Sequence, residues 1–401
     1  MKSIKDPVHG YVEVDKSVIP FLDSPPVQRL RYIRQLGFSY LVYPGANQTR
    51  FEHSLGAMHL AGMMSRQLGI SRGEHLLIMI AAILHDVGHG PFSHSIEPVM
   101  EECTGRSHHE IRKWLDDPVL GLILEESPVD TGELMEVLKG THRLSGILLG
   151  DLDVDRMDYL QRDAHYTGVP YGTVDSDRLI RSTLLSEDGI VIDEGGINAA
   201  ESLLIARTLM RPSVYFHHVS RIAETMFNFA VFEHLKDKPR RDIDQMMVMD
   251  DASCMHALRT SDNPVTSTLV DRIYYRKLFK KALYVGSDRV NVKSFSECRS
   301  LSTRKKIAEE IAGYAGVGPS DVLVDIPGLP TGMSLRVQVR NRHRVVDLGE
   351  VSPLLNSLNE NRLEQWRVGV YCPPELTGVV EDAATEVLHV KPVTKQDKLH
   401  L

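Results

Sequence analysis

Five histidines crowd into one short window of this chain. His85, His89 and His94 fall in the run His85-Asp86-Val87-Gly88-His89-Gly90-Pro91-Phe92-Ser93-His94, and His108 and His109 follow, ahead of Glu110. Upstream, Arg50-Phe51-Glu52-His53 adds an imidazole beside a guanidinium. Well downstream, Asp153-Val154-Asp155-Arg156-Met157-Asp158-Tyr159 supplies carboxylates. Imidazole nitrogens with carboxylate oxygens make a mixed donor set suited to a divalent ion that keeps positions open for water and phosphate oxygens. A histidine that titrates near neutrality can also protonate a leaving group. A helix-terminal His before glycine can simply cap backbone carbonyls, and for His85-Asp86 alone that role outweighs a ligand role. Caps need no such crowd interleaved with Gly88, Gly90 and Pro91, so the window reads as a site. His59, His75, His142, His256 and His343 stand singly and read as surface or internally satisfied residues. His9, in a loop motif, and His400, at the tail, read as background.

These residues need elements to hold them. Val27, Leu30, Ile33 and Leu36 fall on one face of a helix over 26–36, and His53 to Leu68 is a second amphipathic segment. Ser71-Arg72-Gly73-Glu74 is a capping-box sequence opening an apolar helix over 76–84, with Gly88 as its stop. His85 and Asp86 would then sit at the end of a rigid, buried helix. Further helices are expected over 109–115, 144–162 and 198–235, and Gly189 to Ile192 reads as one arm of a small hairpin. After the charged break at 236–244 the pattern changes. Strands at 282–285, 322–326, 335–339 and 368–371 alternate with helices at 302–314 and 374–387. The expected architecture is mainly α: a helical catalytic core over 1–240, a helical connection over 241–280 and a small C-terminal α+β domain over 281–401.

Composition bounds the function. The 401 residues are 42% hydrophobic and 25% charged with a net charge of −8, which excludes a disordered chain and argues against a dedicated nucleic-acid binder. No apolar h-region opens the chain, and the apolar run at 76–84 is far short of the roughly 20 residues a bilayer requires, so no membrane association is expected. The four scattered cysteines form no CxxC pair, which fits a reducing cytoplasm.

At these residues the chain resembles the HD-domain phosphohydrolases, and within them the deoxynucleoside triphosphate triphosphohydrolase branch. The likeness is colinear, running through Asp6-Pro7-Val8-His9-Gly10, Gln28 to Gly37, Tyr43-Pro44-Gly45-Ala46 and Arg50 to Ser54. It continues over His85 to His94, Asp153 to Asp163 and Tyr275 to Lys280. The likeness is to the core that follows the SAM domain in metazoan members, and a minimal prokaryotic-type relative is expected.

The resemblance implies that His53, His85, Asp86 and Asp155 hold the metal (Mn, Fe, Ni or Zn, with Mg accompanying the nucleotide). It places Arg50, His89, Arg156 and Arg207 on the phosphates, Arg156 standing where the family has a lysine. It makes His94 the general acid for the sugar oxygen, positioned by Glu97 where the family has aspartate, with His109 beside the triphosphate and supported by Glu110. Gln35, Leu36, Tyr159, Asp163 and Tyr215 would form the sugar pocket. Phe216 and Arg211 depart from the family near the base, which touches nucleobase preference more than the reaction. Water would attack the α-phosphorus, releasing deoxynucleoside and intact triphosphate.

Lys2, Asp23, Gln28, Arg31, Arg276 and Lys280 match a guanine-nucleotide activator site. Arg178, His217, Val42 and Tyr43 partly match a second one, where Ser213 and Ala199 lack the family's polar groups. The resemblance thus implies a GTP or dNTP activator bound between subunits of a homo-oligomer, a dimer or tetramer. Two other readings stay open: an HD phosphohydrolase acting on another nucleotide (an NTP, a monophosphate or a signalling nucleotide), and a nucleotide-sensing or binding protein with a residual metal site. A pairing of Arg31 with Asp23 as mere surface charges competes with the activator site.

Overall fold

The computed structural model describes residues 1–186, 189–295, 298, 300–329, 337–341 and 344–392, apart from the side chains of 341, 356 and 359–363. His343, His400 and the first residues of the strand expected at 335–339 lie outside them.

Two helices pack side by side, Arg50–Gln67, which carries His53, and Arg72–Leu84, which leads into His85 and Asp86. The second opens on the expected capping box: the Ser71 hydroxyl accepts the Glu74 N–H and the Glu74 carboxylate accepts the Ser71 N–H at 3.0 Å. Every side chain from Leu77 to Leu84 is buried, as suits a helix apolar all round. The first helix opens on a capping box that the sequence reading missed, Thr49 with Glu52.

Several expected helices are broken, each for a tertiary reason. The one over 26–36 is a helix at Pro25–Arg29 and a 3-10 turn at Leu30–Tyr32, and then it stops. Beyond it the backbone bonds sideways: Arg50 N–H to the Ile33 carbonyl at 3.0 Å, Gln35 N–H to the Gln48 carbonyl at 3.0 Å and Arg34 N–H to Asp251 at 3.1 Å. The segment over 109–115 is helical only at Arg112–Leu115, because 107–111 forms a turn whose His108 carbonyl lies against Gly88. The stretch over 144–162 splits into Gly146–Leu149 and Val154–Thr167, since Asp153 caps the second helix by accepting the Arg156 N–H at 2.8 Å. The stretch over 198–235 splits at a π-helical turn, Arg211–Tyr215, which contains Pro212; Ile197–Met210 precedes it and His218–Leu235 follows.

The chain is mainly helical with a small C-terminal α+β region. Strands β1 (Lys2–Asp6) and β2 (Gly10–Val14) form a hairpin at the N-terminus. The expected hairpin arm is β4 (Gly189–Asp193), antiparallel to β3 (Thr183–Ser186). Downstream, β5 (Lys280–Gly286), β6 (Leu323–Asp325) and β9 (Arg367–Cys372) make an antiparallel sheet in the order β5-β9-β6. Helices Leu301–Ala315 and Thr377–Val387 pack on it, close to the expected bounds. Strands β7 (Gln338–Asn341) and β8 (Arg344–Asp347) extend the other sheet instead: β7 runs parallel to β4, Val191 facing Gln338. Helix Pro353–Glu364 follows them onto helix Ile197–Met210. Between residues 240 and 274 lie the helices Arg240–Met247, Asp251–Arg259 and Pro264–Tyr274. No helix among the described residues is long and apolar enough to cross a membrane.

Candidate active site

Helix Arg50–Gln67 buries His53, helix Arg72–Leu84 ends on His85-Asp86, and helix Val154–Thr167 brings Asp155 to meet them. His53 Nε2 lies 2.9 Å from Asp155 Oδ1 and 3.7 Å from Asp86 Oδ2; His85 Nε2 lies 3.4 Å from Asp86 Oδ1 and 3.5 Å from Asp155 Oδ1. Neither Nε2 makes a properly directed hydrogen bond to a described residue, although both are buried. Their Nδ1 atoms are occupied, in His53 by Asp158 Oδ2 at 2.8 Å and in His85 by the Ala82 carbonyl at 2.8 Å. Two imidazoles oriented from behind, with bare nitrogens facing two carboxylates, are the donor set expected to hold a divalent ion. Electrostatics agrees. Burial opposes a charged His53, yet Asp155 and Asp158 outweigh it and raise its pKa to about 10. The pocket favours positive charge, which a bound cation can supply in place of that proton.

Behind the donors lies a network the sequence reading left unassigned. Asp158 takes His53 on one oxygen and His9 Nε2 on the other at 2.6 Å. The buried Arg162 donates to Asp158 at 2.9 and 3.0 Å and to Asp6 at 2.9 Å. Asp158 has to approach the Arg50 helix closely, because a Cβ at Gly56 would lie 1.8 Å from its Oδ1. The i, i+3 spacing of Asp155 and Asp158 was the available signal.

Asp86 also accepts the Arg50 Nη1 at 2.7 Å; burial would raise its pKa, but Arg50, His85 and His89 hold it well below the usual range. Arg50 Nε donates to Ser93 Oγ at 2.7 Å, and Nη2 is buried without a partner among the described residues. That leaves a guanidinium edge for a phosphate oxygen. Ser93 and Phe92 both have φ of 56°, a left-handed pair that costs roughly 1–2 kcal/mol per residue. The turn is held because the Phe92 N–H donates to Asp251 Oδ1 at 2.7 Å, the Phe92 ring stacks on Phe38 at 4.4 Å, and Ser93 Oγ donates to the Arg34 carbonyl at 2.5 Å. Its effect is to present His94 at the cavity mouth, 66% exposed.

Glu97 accepts from His94 Nδ1 at 2.9 Å. It also faces His89 Nδ1 at 3.3 Å and His108 Nδ1 at 2.5 Å. His108, to which sequence gave no role, stacks on His89 with centroids 3.9 Å apart. Burial and the Arg50 charge drive the His89 pKa well below its ordinary value, so this imidazole is neutral.

Two contiguous cavities meet at His94. One, of about 240 Å³, is lined by Arg50, His85, Asp86, His89, His108, His109 and Asp155. The other, of about 400 Å³, takes Leu36, Asp163, Tyr215, Phe216, Arg221 and Glu224. Gln35, His94 and Tyr159 belong to both. In the second, Asp163 accepts Tyr215 OH at 2.8 Å and Gln48 Nε2 at 2.9 Å, and burial raises its pKa to about 6. Burial also raises Tyr159 to about 12, so both tyrosines keep their protons. Arg221 pairs with Asp325 of β6, tying this wall to the C-terminal sheet.

Some expected residues lie elsewhere. Arg156 donates to Asp153 and the Gly150 carbonyl and lines a separate cleft beside Ile190 and Val337. Arg207 makes no hydrogen bond or ion pair among the described residues, and its charge reaches Asp153, Tyr159 and Tyr215. Glu110 lines another cleft with Lys113 and Trp114 and has no hydrogen bond to His109. Arg211 stacks on Phe216 at 4.0 Å. Of the residues matched to an activator site, Arg31 packs over Phe51 at 3.5 Å and donates to Gln28, not Asp23. Gln28 donates to the Leu22 carbonyl, Arg276 to Leu41 and Arg178 to Gly195. Lys2, Asp23 and Lys280 are exposed.

A helical core that gathers a His…His-Asp…Asp set beside a histidine-lined cavity is the framework of a metal-dependent phosphohydrolase. Residues 50–163 match the HD domain and residues 174–399 the HD associated region, and the chain belongs to the HD-domain phosphohydrolases. It is 35% identical to an uncharacterized protein of Methanocaldococcus jannaschii over 94% of this chain and 80% of that one. It is 30% identical to the Dictyostelium discoideum homolog of the deoxynucleoside triphosphate triphosphohydrolase SAMHD1, over 80% of this chain and 66% of that one. The crystal structure of a phosphohydrolase from Bacteroides thetaiotaomicron superposes with a TM-score of 0.69 at 26% identity, over 93% of this chain and 99% of that one.

Proposed function

We propose that this protein hydrolyses deoxynucleoside triphosphates to deoxynucleoside and triphosphate. The observation that carries the reading is the position of His94, on the wall shared by a donor-lined cavity and a tyrosine- and carboxylate-lined one. A substrate with its phosphates in the first and its sugar in the second puts the ester oxygen at His94. In this reading His53, His85, Asp86 and Asp155 hold a divalent ion, which when bound polarises a phosphoryl oxygen and acidifies water. The free edge of Arg50 and the neutral His89 receive phosphate oxygens, and Arg207 adds its charge from beside Tyr159. His94, oriented by Glu97, delivers the proton to the departing sugar oxygen. Asp163, ionised above about pH 6 and already bonded to Tyr215, is placed to accept a sugar hydroxyl.

The engagement of Arg156 with Asp153 favours a second reading, hydrolysis of a nucleotide with fewer phosphates. One experiment separates them: metal-loaded protein is incubated with dNTPs, NTPs and monophosphates and the products are resolved by ion exchange. Triphosphate from dNTPs is the expected result; inorganic phosphate or pyrophosphate as first product overturns the first reading. The activator belongs to the same proposal, as a GTP or dNTP held near Arg31 and Arg276 between subunits of a dimer or tetramer. Unchanged turnover and unchanged mass by light scattering on adding these nucleotides would remove it.

A further inference from the structure

Glu97 is an unusual hub. Nδ1 atoms of three histidines converge on its carboxylate: His94 at 2.9 Å, His108 at 2.5 Å and His89 at 3.3 Å. The four donor atoms lie within 4.8 Å of one another. His89 is 1% exposed, and its Nδ1, aimed at this group, has no hydrogen-bond partner among the described residues. The nearest Glu97 oxygen likewise lacks a properly directed bond despite being approached from two sides. Hydrogen bonding alone gives no reason for three imidazoles to turn the same nitrogen to one carboxylate while one of them is left unmatched. A donor set of three imidazole nitrogens and one carboxylate oxygen does give one.

We propose that His89, His94, Glu97 and His108 form a second divalent-cation site, separate from the His53, His85, Asp86 and Asp155 set. The nitrogen-rich donors select a borderline ion such as Zn²⁺ over Mg²⁺, which prefers oxygen. Its ligands approach to about 2.1 Å, so neighbouring donors in a tetrahedron stand roughly 3.4 Å apart. The spacings from the histidine nitrogens to Glu97, 2.5 to 3.3 Å, fall short of that value, and filling the site takes small outward side-chain shifts. His94 is solvent-exposed and gives the ion an entrance. Binding displaces the protons shared between Glu97 and its histidines into solvent. Its consequence rests on the hydrolase reading: an ion on His94 Nδ1 takes that imidazole away from Glu97 and fixes it, making the site inhibitory.

The test counts ions rather than turnover. Chelator-stripped full-length protein is titrated with Co²⁺, followed by d–d absorption, and with Zn²⁺ by equilibrium dialysis and metal analysis. Two equivalents are expected in the wild type. Asp155→Ala should lose one and keep the other, and Glu97→Gln should keep the first and weaken the second at least about 10-fold. His108→Gln, at a partly exposed position, should repeat the Glu97→Gln result and decides the matter if that variant does not fold by circular dichroism. A single equivalent in the wild type, or two of unchanged affinity in the folded variant, overturns the proposal. Absence of hydrolysis on every nucleotide would sink the functional reading while leaving this count intact.

Discussion

The molecule holds two histidine–carboxylate clusters only a few ångströms apart, and they are built in opposite ways. The His53, His85, Asp86 and Asp155 cluster stands on three helices, with each imidazole pinned from behind by Asp158 or the Ala82 carbonyl. The His89, His94, Glu97 and His108 cluster stands on a loop, a strained turn and the start of one short helix, and His94 reaches into solvent. Similar side chains are thus held in different ways. Rigid support and bare Nε2 atoms suit fixed ion binding. A histidine on a turn braced from outside suits a group that has to meet substrate and exchange protons.

If that contrast is right, the largest effect belongs to the first cluster. Asp155→Ala is expected to lose the first ion, one of two equivalents, and to cut hydrolysis by more than about 100-fold, beyond what outer residues cost; retention of both equivalents by elemental analysis would mean the ligand set is wrong. His94→Ala should lower kcat by roughly 10²–10⁴-fold while the first ion stays bound. Loss of that ion would show the clusters to be one unit. Asp158→Ala strikes the support: His53 loses its orientation and the buried Arg162 keeps only Asp6. We expect a 10–100-fold drop in metal affinity and about 3–5 kcal/mol of lost stability in urea unfolding.

The smallest expected effect is a pH dependence in the sugar-side cavity. Asp163 has its pKa raised to about 6 by burial, so above that pH it accepts from Tyr215 and Gln48 as a carboxylate. KM should rise a few-fold as pH falls through 6, with Asp163→Asn flattening the profile; an unchanged wild-type KM between pH 5 and 7 removes Asp163 from substrate binding. Its folded pKa lies above the ordinary carboxyl value, so the folded chain binds this proton more tightly. The residue's contribution to stability is therefore greatest at low pH and declines between about pH 4 and pH 6, opposite to a salt-bridged aspartate.

Much of this was legible in the linear chain. The apolar helix over 76–84, its Ser71 capping box, the hairpin arm at 189–192 and the C-terminal helices all rest on signals local in sequence, and all stand near their expected bounds. The cluster of histidines points to a candidate site for the same reason. Breaks in the long helices were not legible, since they depend on backbone bonds such as Arg50 to Ile33 that exist only once distant segments meet. His9 read as background for a similar cause: its partner Asp158 is 149 residues away.

Sequence alone determined the chemical types, which imidazoles and carboxylates are available and which helices carry them, because side-chain identity and helical period are local properties. Tertiary structure decided their use. It left Nε2 of His53 and His85 bare, spent Arg156 on Asp153, left Arg50 a free edge and gathered His108 onto Glu97. Those outcomes turn on angles and on competition for hydrogen-bond partners within a few ångströms, and only packing sets such distances.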